Sequence, residues 1–191
     1  GQRRARDRHL EKRRDAVMPR LTPGALAGLP AAVRRPTYDL GRIQPGILHF
    51  GPGAFHRVHQ AWYVDQLLQR DSRWGIAGVS LHSPGVRDAL QPQDGLYALA
   101  VQDEAPSIEV IGSLRELVVA TDDPAAVVRR LADSRLAVVT LTVTEKGYCL
   151  TTAGSLDQSH PDVVRDLATP DAPASVLGYI VAGLRQRRVL G

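Results

Sequence analysis

The sequence predicts an α/β fold: a doubly wound, mainly parallel sheet with helices on both faces and a β-hairpin added to it. Three observations carry this. Short apolar runs of strand length alternate along the chain with longer stretches of helical periodicity. The run Ile76–Leu81 has the apolar character of a strand buried on both faces of a parallel sheet. An earlier run, Ile47–Phe50, meets two closely spaced glycines, Gly51 and Gly53, before an apolar, aromatic-containing segment without proline, which is the order strand, tight turn, helix.

The elements follow in order. Residues 21–45 carry prolines at 23, 30, 36 and 45 and read as a turn-rich approach with one short helix. Ile47–Phe50 is the first strand and Ala54–Gln69 the first helix, with Val58, Ala61, Trp62 and Leu68 on one face and Leu67 beside it. Ile76–Leu81 is the second strand. Leu96–Val101 and Ile108–Ile111 flank a polar turn at Gln102–Ser107 and read as a hairpin, an antiparallel addition to the sheet. Asp122-Asp123-Pro124 opens a helix, with an acid at the cap and proline in the first turn. That helix runs to about Asp133, and Ala137–Val143 is the next buried strand. Residues 161–168 form a short helix. Ser175 to about Arg188 forms a longer one, whose expected apolar stripe is Val176, Leu177, Ile180, Val181 and Leu184.

The glycine turn is the chemically informative point. The first glycine permits a sharp turn and the second lets a ligand approach the backbone. The helix that follows offers unpaired N–H groups and its positive end to a phosphate. Gly51, Pro52, Gly53, Ala54, Phe55 and His56 therefore form the candidate diphosphate cradle, and Arg57 either pairs with a phosphate or lies on the surface. The third glycine of a dinucleotide fingerprint is missing, because His56 stands there. The second strand ends in Ser80-Leu81-His82-Ser83, with no carboxylate before Asp88, where a ribose-binding acid is expected; Arg87 meets a 2′-phosphate or points to solvent. Thr142, Thr144, Glu145 and Lys146 leave the carboxyl end of a buried strand, the edge at which open α/β sheets bind ligands. The alternative there is a Glu–Lys pair that steadies the turn before Gly147. His56 and His59, three apart on one helix face, have a spacing that can hold a metal, but no further ligand cluster accompanies them and no metal is expected.

Three segments together resemble one family. They are Gly51-Pro-Gly-Ala-Phe-His-Arg with His59-Gln-Ala-Trp; Trp74-Gly-Ile-Ala-Gly-Val-Ser-Leu with Val86-Arg-Asp-Ala-Leu and Gln93-Asp-Gly-Leu-Tyr; and Thr142-Val-Thr-Glu-Lys-Gly-Tyr148. In this order and spacing they resemble the N-terminal half of the long-chain polyol dehydrogenases, the family of mannitol 2-dehydrogenase and fructuronate (mannonate) reductase. The likeness runs from about Leu21 to the end of the chain. It implies a Rossmann-type domain for NAD, with NADP left open by the missing acid, followed by a mostly helical substrate domain. It also implies hydride transfer between that cofactor and a secondary alcohol of a polyol or aldonate, or the matching ketose or keto-uronate. Ser80, Leu81 and His82 would then adjoin the ribose, and Thr144, Glu145 and Lys146 the nicotinamide side. The acid/base of the family is a lysine of the second domain, accompanied by asparagines and a histidine. This sequence has no asparagine, and its only lysines are Lys12 and Lys146. The expectation is therefore a cofactor-binding half whose substrate domain is absent, inactive alone and assigned no catalytic residue.

The formal charge of +4 is a property of the leader. Residues 1–17 hold seven Lys/Arg and three Asp/Glu, and the remainder holds seventeen of each sign. The expected organisation is a basic, disordered leader over residues 1–20 and a dinucleotide-binding domain over 21–191. Met18 reads as a natural start. The arginines of the leader keep a second reading open, a nucleotide- or nucleic-acid-binding module without catalysis. A third is a degenerate fragment that does not fold alone. A sugar-type small molecule is the expected partner, rather than nucleic acid or membrane. One cysteine, Cys149, and the lack of a long apolar span or signal sequence suit a cytoplasmic protein.

Overall fold

The computed structural model describes residues 20–103, 105–142 and 145–190, with the backbone alone at 145 and 146. The expected leader, apart from Arg20, and Thr144 lie outside the described residues. The elements in chain order are β1 (Val33–Arg34), β2 (Pro45–Phe50), α1 (Ala54–Val58), α2 (Gln60–Leu68), β3 (Gly75–Ser80), α3 (Gly85–Leu90), β4 (Tyr97–Val101), β5 (Ser107–Ile111), β6 (Leu114–Val119), α4 (Pro124–Ala132), β7 (Val138–Leu141), α5 (Pro161–Ala168) and α6 (Val176–Leu190).

The main sheet has the order β6-β3-β2-β7, all parallel. The chain starts in β2, steps outward through β3 and β6, then returns to the far side of β2 as β7. The order reverses beside β2, which creates the crevice where such sheets bind ligands. Every residue of β2 is buried, as a central strand requires. Its side chains alternate between two cores. Ile47 joins Ile76, the α2 residues Ala61, Val64 and Leu68, and Leu90 of α3 on one face. Leu48 and Phe50 join Val79, Val127 and Leu131 of α4, and Val176 and Tyr179 of α6 on the other. Helices thus cover both faces, as expected.

Several details depart from expectation. The helix over 54–69 is two helices, parted at His59 (φ −119°, ψ −90°). The Tyr97 hydroxyl donates to the Arg57 carbonyl at 2.6 Å, taking an oxygen that a continuous helix would give to Ala61. The buried face of α2 is Ala61, Val64, Asp65 and Leu68; Val58 and Leu67 are exposed. The hairpin exists, with Tyr97 opposite Ile111 and Val101 opposite Ser107, but it does not extend the main sheet. It pairs with β1 instead, in a separate three-stranded sheet. Strand β6 and helix α3 are additional elements. On α6 the buried residues are Val176, Tyr179 and Gly183, while Val181 and Leu184 are exposed. Among the described residues no helix is long and apolar enough to cross a membrane.

Candidate functional site

The two glycines after β2 do different work. Gly51 has φ +87°, and a Cβ there would stand 2.9 Å from the Thr142 carbonyl oxygen. Its conformation and its surroundings both demand glycine. Gly53 caps α1 with an ordinary φ of −70°, and the nearest atom to a Cβ placed on it is the Gly51 oxygen at 3.9 Å. Among the described residues, neither backbone strain nor a neighbouring protein group excludes a side chain at Gly53. Open space above this residue is what a close-approaching ligand requires.

Both carbonyls of the turn are tied back. The Gly51 oxygen accepts from the Gly53 amide at 2.7 Å and the Thr142 hydroxyl at 2.8 Å, with the His49 ring Nε2 at 3.2 Å. The Pro52 oxygen accepts from the Arg57 guanidinium at 2.8 Å. This contact places Arg57 at the turn, partly buried. The Arg57 amide bonds back to the Gly53 carbonyl at 3.1 Å, so the amides of Ala54, Phe55 and His56 precede the first helical donor and have no partner within the helix.

A polar network lies beneath the turn. His49 and His56 are fully buried and stacked, with ring centroids 3.6 Å apart. His49 Nδ1 lies 2.7 Å from the Thr140 hydroxyl and Nε2 lies 2.8 Å from the Thr142 hydroxyl, while Gln60 donates to the Thr140 hydroxyl at 3.1 Å. Burial lowers the His49 pKa to about 4. Burial, then neighbouring His49 and Arg57, lowers that of His56 to about 3. Both rings are thus neutral at physiological pH. Among the described residues neither ring nitrogen of His56 has a hydrogen-bond partner. His59 points the other way, between the exposed rings of Phe55 and Tyr63. The two histidines do not share a helix face, contrary to expectation, because one is a core residue and the other sits at the break between α1 and α2. Among the described residues no group of three or more metal-binding side chains occurs.

At the end of β3, Ser80 and Leu81 are partly buried and His82 is exposed. The Ser80 carbonyl is held by the Ala120 amide at 2.8 Å. Arg87, on α3, is bound by Asp122 and by Asp88 at 2.9 Å, so its charge is already met by two acids. Glu145 and Lys146 belong to a 3-10 turn, Glu145–Tyr148, and their side chains lie outside the described residues with Thr144. The structure thus brings together Gly51 to Arg57 and adds His49, Gln60, Thr140 and Thr142. Three of these four additions were not site candidates from the sequence. The strand expected to be buried over 137–143 is the shorter β7, a partly exposed edge strand with Val138 exposed, because it lies at the end of the sheet. Thr140 in β7 and Thr142 just beyond it lie two apart in an extended segment, and that spacing of threonines is the signal that points to a polar layer.

Residues 45–191 match the mannitol dehydrogenase Rossmann domain. The polyol:NADP oxidoreductase of Gluconobacter oxydans (strain 621H) is 41% identical over 180 residues, covering 90% of this chain and 37% of that protein. The D-mannonate oxidoreductase of Escherichia coli (strain K12) is 43% identical over 166 residues, covering 83% of this chain and 34% of that one. Among solved structures, a Pseudomonas fluorescens mannitol 2-dehydrogenase in ternary complex with NAD and D-mannitol superposes with a TM-score of 0.86 at 37% identity, over 91% of this chain and 37% of that chain. A D-sorbitol dehydrogenase in substrate-free form superposes with a TM-score of 0.83 at 39% identity. The chain spans little more than a third of the length of these relatives, 34% to 37%.

Proposed function

The chain belongs to the mannitol dehydrogenase family, and from that premise we propose that residues 21–191 bind a nicotinamide dinucleotide, NAD in preference to NADP, with its diphosphate over the Gly51–Gly53 turn. One observation carries the reading. Gly53 is a glycine that neither its backbone nor its packing among the described residues requires, at the carboxyl end of the central strand, beside the reversal of strand order. Around it, the amides of Ala54, Phe55 and His56 would hold phosphate oxygens, while Thr142 and Arg57 keep the two carbonyls of the turn occupied. Ser80, Leu81 and His82 would border the adenosine ribose. The preference for NAD rests on Arg87, which two acids already neutralise.

When bound, the nicotinamide supplies the hydride chemistry. The chain's own part is to bind the cofactor and orient it. We propose that a polypeptide carrying this domain oxidises a secondary alcohol of a polyol or aldonate, and reduces the corresponding ketose or keto-uronate. The substrate groups and the acid/base belong to the length of the relatives that this chain does not match. Thr144, Glu145 and Lys146 would lie at the nicotinamide edge of the crevice. The single Cys149 and the nicotinamide cofactor both suit the reducing cytoplasm.

Titration of the 191-residue chain with NADH and NADPH, followed by nicotinamide fluorescence, tests the reading. Saturable binding is expected, tighter for NADH, with no turnover of mannitol or fructuronate. Gly53→Ala should melt within a few degrees of the parent, yet weaken NADH at least tenfold, because a methyl group would fill the space the diphosphate needs. Folded Gly53→Ala that binds like the parent would overturn the placement.

A further inference from the structure

On the reading that the Gly51–Gly53 turn carries the diphosphate, we propose that Thr142 is a positioning residue for that turn, as the last donor of a one-way hydrogen-bond chain from Gln60 through Thr140 and His49 to the Gly51 carbonyl. The direction follows from which groups are able to donate. The Gly51 carbonyl only accepts, so the Thr142 hydroxyl, 2.8 Å away, must donate to it. The Thr142 oxygen is then free to accept, and His49 Nε2 at 2.8 Å must carry the proton that it receives. A neutral ring protonated at Nε2 accepts at Nδ1, so the Thr140 hydroxyl at 2.7 Å donates there. The Thr140 oxygen in turn accepts from the Gln60 amide at 3.1 Å. Each hydroxyl in the chain donates once and accepts once, and only one tautomer of His49 satisfies all of them.

The consequence is electrostatic. A carbonyl oxygen carries partial negative charge and repels an approaching diphosphate. The chain draws the Gly51 oxygen down toward the buried His49, which leaves the amides after Gly53 as the polar groups offered at the turn. Pro52 has no N–H, so its own peptide cannot offset a misplaced Gly51 carbonyl. Stacking against His56 keeps the His49 ring in the plane that the chain needs.

Two measurements on the 191-residue chain test this. The 15N spectrum of histidine-labelled protein should show His49 as the Nε2-protonated neutral tautomer near pH 7; an Nδ1-protonated ring would overturn the direction of the chain and the proposal with it. NADH titration should show Thr142→Val weakened about tenfold, the effect of losing one ordinary hydrogen bond at a binding site, and Thr142→Ser within about twofold of the parent. ADP-ribose, which has the diphosphate but no nicotinamide, should lose the same factor in Thr142→Val. Parental affinity in Thr142→Val, or equal losses in Val and Ser, would overturn the proposal while leaving cofactor binding intact. A folded parent that binds neither NADH nor NADPH would remove the functional reading first, and this proposal with it.

Discussion

His49 and His56 stack face to face with no solvent exposure, and burial holds both pKa values far below the 6.5 of a free imidazole, at about 4 and about 3. Their neutral forms are the ones that fit the fold. Stability from this source is therefore complete above pH 6.5, where the unfolded chain is also neutral. It is lost as pH falls toward the folded values, because the unfolded chain takes up two protons that the fold refuses. Between about pH 6 and pH 4 the pair should contribute a slope of about 2 kcal/mol per pH unit. His56→Phe isolates half of this. Phenylalanine keeps an aromatic face for His49 and removes two buried nitrogens that lack partners among the described residues. Urea unfolding at pH 7 should find the variant at least as stable as the parent, and at pH 4.5 clearly more stable. Identical pH profiles would show that His56 is not buried as a neutral ring. The inward turn of His56 was not legible in the sequence. Local periodicity places residues 56 and 59 near each other on one helix, and it carries no information about a break at His59 imposed by Tyr97 from another sheet. Gly51 and Gly53 were legible because a tight turn before a helix is a local event.

At the scale of elements, the same division holds. Strands β2 and β3 and helices α4 and α5 were legible from apolar runs and from cap residues. The cap of α4 is a clear instance: Asp123 accepts from the Ala126 amide at 2.8 Å, with Pro124 in the first turn. Asp123→Ala should lower stability by about 1 kcal/mol, read as a shifted urea midpoint with unchanged slope. Asp123→Asn, which keeps an acceptor, should recover most of it; equal losses would assign the effect to something other than the cap. Strand β6 is not legible in the sequence because Arg115 and Glu116 interrupt its apolar run, as suits a half-exposed edge strand. The two-residue β1 is too short for any periodicity, yet it decides that the hairpin forms a sheet of its own. The buried stripe of α6 differs from the one hydrophobicity predicts, because Leu184 and Val181 outrank glycine on that scale, whereas close packing against Leu131 of α4 selects Gly183 for the interface.

The whole molecule depends on joining the three-stranded sheet to the four-stranded one, and helix α2 makes that joint with polar groups. Asp65 is buried, and one of its oxygens, Oδ1, receives both the Tyr38 hydroxyl and the Gly112 amide, the latter at 2.7 Å. Nearby, Glu109 of β5 accepts from the Trp62 indole of α2 and from Arg34 of β1, each at 2.9 Å. The N-terminal approach, α2 and the β5–β6 connection thus converge on a pair of buried carboxylates. Burial raises the Asp65 pKa against the two hydrogen bonds, and the charge of Glu109 raises it further. A raised carboxyl pKa gives stability that is complete below the unfolded value near 3.8 and is lost as pH climbs through the folded value. This slope is opposite in sign to that of the histidines, so a single pH profile mixes the two and a difference between variants is needed to separate them. Asp65→Asn retains an oxygen for both donors and cannot ionise. Relative to the parent it should gain stability as pH rises above the unfolded value near 3.8, and level off once the parent's Asp65 has ionised in the fold. Asp65→Ala leaves Tyr38 and the Gly112 amide without their acceptor and should cost about 2–4 kcal/mol at pH 7. If Asn proves as damaging as Ala, the carboxylate charge itself holds the joint, and the pairing with Arg34 through Glu109 would have to extend to Asp65. If the two variants separate as expected, the hydrogen bonds hold the sheets together, and ionising Asp65 in its buried place is a cost that rising pH imposes on the fold.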